Sequence, residues 1–309
     1  MSFEIQISSL DHFEQITLKE SNTGNSISIS TKGGLINEWL IEGSRSIING
    51  NDFSNGWGNF EMNGFKSGKM SPFSCRLENG TFTHLDQIYT IEKFYLGEHA
   101  LHGILYDAVY TIASTKINDD SASAILEYKY NGTDHGYPFP YSIQLEWLLQ
   151  TNHLVSVKTT ITNHHDQPIP IMDGWHPYFS LSAKVNDYKL QFKNKGKIEY
   201  NQHLLPTGKI KEDNRFNEST QIGDLHLDDC WLIDDQSPSC TIQYEKEKII
   251  ITPICNYPYL QVYTPDDRKS IAIENLSAVP NCFNNKMGLH MMKPHESWVL
   301  ATSYQYFKD

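Results

Sequence analysis

A histidine and a glutamate in two separate segments are the residues of this chain best suited to acid–base chemistry. His176 follows Gly174-Trp175 and precedes Pro177-Tyr178. Because proline cannot donate a hydrogen bond to a sheet, we expect this histidine at a rigid, irregular point beside flat apolar rings. Its pKa of about 6.5 would let it exchange a proton near neutral pH. On spacing alone, a half-buried histidine in an edge turn is the favoured interpretation.

Glu274 lies at the end of a run that contains Ile271 and Ile273. Period-two alternation places the two isoleucines on one face of a strand and Glu274 on the other, near the strand end. A partly buried carboxylate there, with its pKa raised from about 4.3, could act as a general base. Considered alone, this stretch favours an ordinary solvated glutamate.

Three further segments carry polar side chains that could bind a substrate. His99 and His102 form a His-x-x-His pattern, but no other group at zinc-like spacing supports a metal site. Arg76 is one of four arginines and precedes an Asn-Gly turn signal at residues 79–80. Residues 227–231 place paired acids beside a tryptophan. Each segment alone is more typical of a structural or surface feature than of a site.

The elements that must position these side chains show apolar–polar alternation with a period of two. It is clearest at 141–149 and 155–161, and weaker runs occur at 26–30, 104–112, 124–130, 248–253, 258–263, 270–274 and 298–307. Turn signals separate the runs, and residues 10–18 resemble a short helix. Many strands with frequent turns predict an all-β sandwich or barrel, which we expect to form one domain over residues 1–309.

Composition limits the classes of partner. The 309 residues carry a formal net charge of −12, which repels a nucleic-acid backbone and an anionic membrane. No basic N-terminal region precedes an apolar run, and no stretch reaches the roughly 18 apolar residues of a membrane helix. Five cysteines without Cys-x-x-Cys spacing fit reduced thiols. We expect a cytoplasmic monomer or homodimer that binds a small molecule, with neither nucleic acid nor membrane as partner.

The order of these segments resembles that of the aldose 1-epimerase (galactose mutarotase) family. The shared motifs run from about residue 66 to the C-terminal strand, and Gly-x-His-Pro-Tyr-Phe is fairly specific. In chain order they are Pro72-Phe73-x-x-Arg76 with Asn79-Gly80, Leu101-His102-Gly103, Gly136-Tyr137-Pro138-Phe139-Pro140-Tyr141, Gly174-x-His176-Pro177-Tyr178-Phe179, Leu227-Asp228-Asp229-x-Trp231 and Glu274-Asn275. The resemblance implies a large antiparallel β-sandwich of the galactose mutarotase-like (supersandwich) type.

The same resemblance implies that His176 is the general acid and Glu274 the general base. Arg76 and Asp228 resemble residues that hold sugar hydroxyls, and His102 resembles a second histidine that contacts the sugar and the reacting oxygens. Asp228 is preferred to its neighbour Asp229 because it directly follows Leu227. Composition adds candidate flat walls for the C–H face of a sugar, namely Trp57, Trp175 and Tyr178.

The implied activity is interconversion of the α and β anomers of a free aldose such as galactose or glucose. This proton exchange at a hemiacetal requires neither cofactor nor metal. Two alternatives stay open: a hexose-6-phosphate 1-epimerase of the same fold, and a non-catalytic carbohydrate-binding protein. Scarcity of arginine disfavours the first, although Lys66 and Lys69 keep it open. The presence of both His176 and Glu274 disfavours the second.

Overall fold

A computed structural model describes residues 2–10, 12–53, 58, 60–61 and 63–308. The chain begins with a five-stranded antiparallel sheet whose strands follow one another in order. They are β1 (Phe3–Leu10), β2 (Phe13–Glu20), β3 (Asn25–Ser30), β4 (Ile36–Ile41) and β5 (Arg45–Ser46). The helix expected at residues 10–18 is therefore wrong. Ile16 and Leu18 are buried while Thr17 and Lys19 are not, which is the period of a strand.

The remaining elements are almost all strands. The first group is β6 (Lys69–Met70), β7 (Arg76–Leu77), β8 (Thr81–His84), β9 (Gln87–Thr90), β10 (Tyr95–Leu96), β11 (His99–Leu101), β12 (Thr111–Ile117), β13 (Ser121–Tyr130), β14 (Tyr141–Gln150), β15 (Leu154–Asn163), β16 (Ile169–Ile171), β17 (Gly174–Trp175) and β18 (Tyr178–Phe179). The second group is β19 (Lys189–Phe192), β20 (Asn194–Tyr200), β21 (Pro206–Lys211), β22 (Thr220–Gln221), β23 (Asp228–Ile233), β24 (Cys240–Tyr244), β25 (Glu247–Cys255), β26 (Tyr259–Tyr263), β27 (Ile271–Leu276), β28 (His290–Met292) and β29 (Ser297–Lys308).

Helical structure is confined to short turns in the described part of the chain. Glu78–Gly80 and Val185–Asp187 are 3₁₀ turns, and α1 (Cys282–Asn285) is a single α-helical turn. No helix among the described residues is long and apolar enough to cross a membrane.

Two large antiparallel sheets form the body of the fold. The first contains nine strands in the order β12-β13-β14-β15-β29-β25-β24-β19-β22. The second follows the order β21-β20-β23-β26-β27-β17-β6, and β18 also pairs with β27. Three smaller sheets, β10-β11-β7, β8-β9 and β16-β28, lie in the connections. The prediction of an all-β, antiparallel sandwich is confirmed.

The core lies between the two large sheets because each turns its apolar face inward. Strand β14 alternates buried and half-buried residues along its whole length, as its sequence predicts. Its Trp147 meets Trp175 of β17 with ring centroids 5.2 Å apart, and Phe179 of β18 meets Tyr304 of β29 at 5.4 Å. Burying such side chains contributes about 1.5–3 kcal/mol each. The extension of one domain over residues 1–309 stays a prediction.

One strand expected from alternation is displaced. Residues 104–112 were expected to be extended, but β12 begins only at Thr111. The N–H groups of Ile104 and Leu105 both donate to the carbonyl of Ser71. The N–H of Ala108 donates to the carbonyl of Leu105 and so forms a turn. The apolar side chains of this segment pack in a small separate cluster and in the main core rather than on a sheet ladder. The apolar residues of 104–110 therefore have the spacing of a strand, although this segment is not one.

Candidate active site

Strand pairing brings the two acid–base candidates together. Gly174 of β17 lies opposite Leu276 of β27, and Tyr178 of β18 lies opposite Ala272 of the same strand. His176, between β17 and β18, is thereby level with Glu274. Its Nε2 lies 3.4 Å from Oε1 of Glu274, and the two residues are only 4% and 1% exposed. The pair is thus a buried imidazole–carboxyl contact.

The backbone and a neighbouring ring fix the orientation of His176. Its N–H donates to the carbonyl of Gly68 (3.2 Å), and its carbonyl accepts from the N–H of Ser67 (2.8 Å). Tyr178 stacks on the imidazole with centroids 4.9 Å apart and planes 10° apart. The Tyr178 hydroxyl donates to the carbonyl of Gly64 at 3.0 Å. These contacts hold the ring rigidly, as the neighbouring Pro177 led us to expect.

A cavity of about 250 Å³ lies in front of this pair. Six residues predicted for the site line it, which are Arg76, His102, His176, Tyr178, Asp228 and Glu274. One wall of the cavity, which carries Asp228 and Glu274, is formed by strands β23, β26 and β27 of the second large sheet. Short segments around β7 and β11 supply the other wall.

Trp175 is the exception among the predicted site residues. Its side chain is buried, packs edge-on against Trp147 and lies under the ammonium of Lys69, which is 4.2 Å from the ring centroid. Neighbouring residues of an extended chain point to opposite faces, so a histidine in the cavity sends Trp175 into the core. The expectation that Trp175 forms a wall for the sugar is therefore corrected. Trp57 lies outside the described residues.

His102 presents a hydrogen-bond donor to the cavity. Its Nδ1 accepts the N–H of Cys75 at 3.3 Å, which leaves the ring proton on Nε2. Burial, and then the neighbouring His176, lower the pKa of His102 well below its ordinary value, so the ring is neutral. Gly103 follows with φ +77°, and a Cβ there would lie 2.3 Å from the carbonyl oxygen of Ser71. Only glycine therefore fits after this histidine.

Of the two adjacent acids on β23, Asp228 faces the cavity. Its Oδ1 accepts from Nε2 of Gln261 at 2.7 Å, and its Oδ2 lies 3.9 Å from Nη1 of Arg76. Asp229 points away and pairs with the ammonium of Lys197 at 3.0 Å. Period-two alternation thus separates the two carboxylates, and Asp228 is the one placed to contact a ligand in the cavity.

Several cavity residues escaped the sequence analysis. Gln261 and Tyr263 lie on one face of β26, and Gln261 is directly opposite Glu274. The alternation at 258–263 could have indicated both residues, because it places Gln261 and Tyr263 on the same face of a strand that pairs with the strand of Glu274. Phe65 and Phe94 line the cavity from loop segments, where no periodicity indicates their direction.

The pKa values of Glu274 and His176 both depart from their ordinary values, which are 4.5 for the carboxyl group and 6.5 for the imidazole. Burial, aided by the charge of Asp228, raises the pKa of Glu274 well above 4.5. Burial lowers the pKa of His176 from 6.5 to about 4. Both shifts have the same cause, because removal from water penalises the charged form of either group. Burial therefore favours a neutral pair, in which the carboxyl group of Glu274 carries the one proton.

The His-x-x-His pattern does not converge on one point. Nδ1 of His99 accepts the N–H of Asn79 at 3.1 Å outside the cavity, whereas His102 lies inside it. Among the residues that the structure describes, no group of three or more histidine, cysteine or acidic side chains is placed to hold a metal ion.

The fold and its buried acid–base site define a class of galactose mutarotase-like sandwich proteins. A galactose mutarotase-like protein from Clostridium acetobutylicum superimposes with a TM-score of 0.86 at 17% identity, and the match covers 99% of each chain. Galactose 1-epimerase from Lactobacillus acidophilus NCFM gives 0.85 at 16% identity, again over 99% of each chain. At such identities the likeness shows a shared fold.

The chain belongs to the aldose 1-epimerase family, whose model matches residues 14–305. Protein YihR of Escherichia coli (strain K12), which is named as uncharacterized, is 24% identical over 239 residues, 73% of this chain and 75% of YihR. The resemblance inferred from the motifs is confirmed. The family model matches from residue 14, well before residue 66, where the motifs begin. Family membership identifies an epimerase of the isomerase class.

Proposed function

We propose that this protein is an aldose 1-epimerase that interconverts the α and β anomers of a free aldose such as galactose or glucose. One observation carries the proposal: Nε2 of His176 and Oε1 of Glu274 lie 3.4 Å apart at the wall of a cavity. Arg76 and Asp228 stand in the same cavity and can hold sugar hydroxyls by directional, charge-assisted hydrogen bonds.

Ring opening uses both groups. The Glu274 carboxylate takes the proton of the C1 hydroxyl, and the electrons of that O–H bond form the C1 carbonyl. The bond between C1 and the ring oxygen O5 breaks, and O5 takes a proton from His176. After rotation about C1–C2, His176 takes the proton back from O5 and Glu274 returns a proton to O1. Protons and electrons balance over the cycle, and no group is transferred.

The proton states of the pair fit this cycle. The ion pair that starts ring opening and the neutral pair that follows it contain the same number of protons. Burial favours the neutral pair, which corresponds to the open-chain stage. Hydroxyl donors of a bound sugar would favour the carboxylate form of Glu274 in the closed-ring stage. Bound substrate would thus move the two states closer in free energy.

The dependence of kcat/KM on pH should follow this single shared proton. A second proton is added as the pH falls through the pKa of His176, about 4, and the shared proton is lost as the pH rises through the raised pKa of Glu274. We expect an acid limb near pH 4 and activity that persists well above pH 4.5. Polarimetry with the spontaneous rate subtracted at each pH measures this, and an acid limb near 6.5 would contradict it.

Asp228→Asn should weaken sugar binding, because it removes a charge that can accept hydroxyl hydrogen bonds. A hydrogen bond to a charged group contributes about 1.5–3 kcal/mol, so we expect kcat/KM to fall about 10–100-fold, mainly through KM. Asp229→Asn is the matched control, since Asp229 pairs with Lys197 outside the cavity. Equal effects of the two substitutions on KM would show that Asp228 does not contact the sugar.

The charges of the cavity support a free sugar over a phosphorylated one. Arg76 is the one guanidinium among the described residues that line the cavity, and the acidic side chains of Glu61 and Asp228 line it too. The two lysines that kept a phosphate site open do not line it. The ammonium of Lys66 bonds Asn49, and that of Lys69 is buried against Asp173. A phosphate would meet more negative than positive charge here.

Polarimetry of freshly dissolved α-glucose and α-galactose tests the proposed function. We expect the purified protein to accelerate the approach to anomeric equilibrium for a free aldose, and to act more slowly on glucose 6-phosphate. Faster conversion of the phosphate ester would favour the phosphorylated-sugar alternative. Tight sugar binding by calorimetry without any acceleration would instead identify a carbohydrate-binding protein.

We also propose a reducing, cytoplasmic location. All five cysteines are free thiols in the structure, and four of them are buried. Oxidising compartments favour disulfides, whereas the cytoplasm keeps thiols reduced. The partner we propose is a small sugar, for a monomer or a homodimer.

A further inference from the structure

A fully buried ion pair lies behind the segment that carries His176. Lys69 belongs to β6 and Asp173 directly precedes β17, and both side chains are 0% exposed. The Lys69 ammonium contacts the Asp173 carboxylate, donates to Oγ1 of Thr159 at 3.2 Å and lies 4.2 Å from the centroid of the Trp175 ring. Because Thr159 is on β15, the ammonium also connects the two large sheets.

Asp173 is fixed toward the strand that carries Glu274. Its Oδ1 accepts the hydroxyl of Tyr257 at 2.6 Å, and its N–H donates to Oγ of Ser277 at 2.8 Å. The N–H of Ser277 donates back to the carbonyl of Asp173 at 2.9 Å. Ser277 directly follows β27. The backbone of Asp173 thus bonds to the end of the strand that presents Glu274, while its carboxylate joins Lys69 of β6 to Tyr257.

Backbone bonds on both sides of the charged pair hold β6 against β17. The ladder itself has two pairs, Met70 with Gly174 and Lys69 with Trp175, and further bonds join Ser67 and Gly68 to His176 and Pro72 to Met172. A slip of one residue between β6 and β17 would place the paired side chains on the wrong faces and disturb the segment that carries His176. The contact between Lys69 and Asp173 adds to these backbone bonds, because two buried charges can meet in one register only.

Stability gives no reason to retain such a pair. Burying two charges costs desolvation energy that their attraction repays incompletely, and apolar replacements are often neutral or stabilising. Specifying a register is the best-attested use of a buried polar pair.

We propose that Lys69 and Asp173 are positioning residues for the epimerase site, because their contact fixes β6 against β17 and so aims His176 at Glu274. The kinetic part of this inference rests on the proposed function. Arg76 and Asp228 lie on β7 and β23, which the pair does not touch, so hydroxyl binding is independent of it.

The double variant Lys69→Met/Asp173→Asn tests the proposal by removing both charges while preserving side-chain length. It leaves no unpaired charge, so the variant should fold with a Tm close to that of the wild type. Displacements of about 1 Å at a reacting group can cost about 100-fold in rate. We expect kcat to fall about 10–100-fold while KM for the sugar stays within about twofold. A folded double variant with wild-type kcat would overturn the proposal.

The matched control is Arg45→Met/Glu247→Gln, which removes an ion pair whose residues do not line the cavity. It should leave kcat unchanged. If the Lys69→Met/Asp173→Asn protein does not fold, Asp173→Asn alone replaces it. Burial already lowers the pKa of Lys69 to about 8, so the lysine can remain as a neutral amine beside asparagine. A wild-type kcat in that variant would equally refute positioning.

A readout independent of turnover separates this inference from the proposed function. The ¹⁵N NMR signals of the His176 imidazole, assigned by their loss in His176→Asn, report the surroundings of the ring directly. We expect them to shift in Lys69→Met/Asp173→Asn and to stay unchanged in the control. Unshifted signals overturn positioning, whereas an inactive wild type with shifted signals in the variant overturns the proposed function alone.

Discussion

Glu274→Gln is expected to lower kcat/KM for mutarotation by about 10²–10⁴-fold, the usual contribution of a general acid or base. The amide has the shape of the carboxyl group but cannot take the C1 hydroxyl proton. The substitution should leave stability nearly unchanged, because burial raises the pKa of Glu274 and so already favours the uncharged form that the amide resembles. A large kinetic loss with a wild-type Tm is therefore the predicted combination.

The measurement is polarimetry with circular dichroism and thermal denaturation on the same preparation. Glu247→Gln is a suitable control, because Glu247 is another buried carboxylate that does not line the cavity. Its Oε1 accepts from Tyr306 (2.9 Å) and pairs with Arg45, so the control should lose stability and keep kcat. Undiminished kcat/KM in a folded Glu274→Gln protein would remove Glu274 from the mechanism.

His176→Asn is expected to cause a loss of similar size, about 10²–10⁴-fold in kcat/KM. Asparagine cannot deliver a proton to the ring oxygen, and it also loses the stacking against Tyr178. The backbone bonds of position 176 to Ser67 and Gly68 do not depend on the side chain, so the segment should keep its course. Asparagine is smaller than histidine and leaves a void, so the Tm should fall. Thermal denaturation measures this loss of stability separately from the loss of rate.

The double variant His176→Asn/Glu274→Gln makes the second prediction sharper. Because acid and base act on the same hemiacetal, losing the second group should cost little once the first is gone. Rates of the single and double variants, measured by polarimetry under the same conditions, should therefore lie close together. A double variant whose loss equals the product of the two single losses would mean that the residues act independently.

Local patterns in the sequence were enough to predict the class of fold. The alternation along 141–149 and 155–161 becomes β14 and β15, because a strand with one buried face needs a period of two whatever it packs against. The ordered motifs likewise identified the family and led to His176 and Glu274. Local patterns failed where a tertiary contact outweighed them, as at residues 10–18 and 104–112.

Direction and electrostatics depended on the packed fold. Trp175 and His176 are adjacent and equally suited to a sugar site, yet the pairing of β17 with β6 and β27 sends the first into the core and the second into the cavity. The raised pKa of Glu274 and the lowered pKa of His176 arise mainly because the packed fold removes both groups from water. Residue types and their order are encoded locally, whereas register, facing and desolvation arise from contacts between segments distant along the chain.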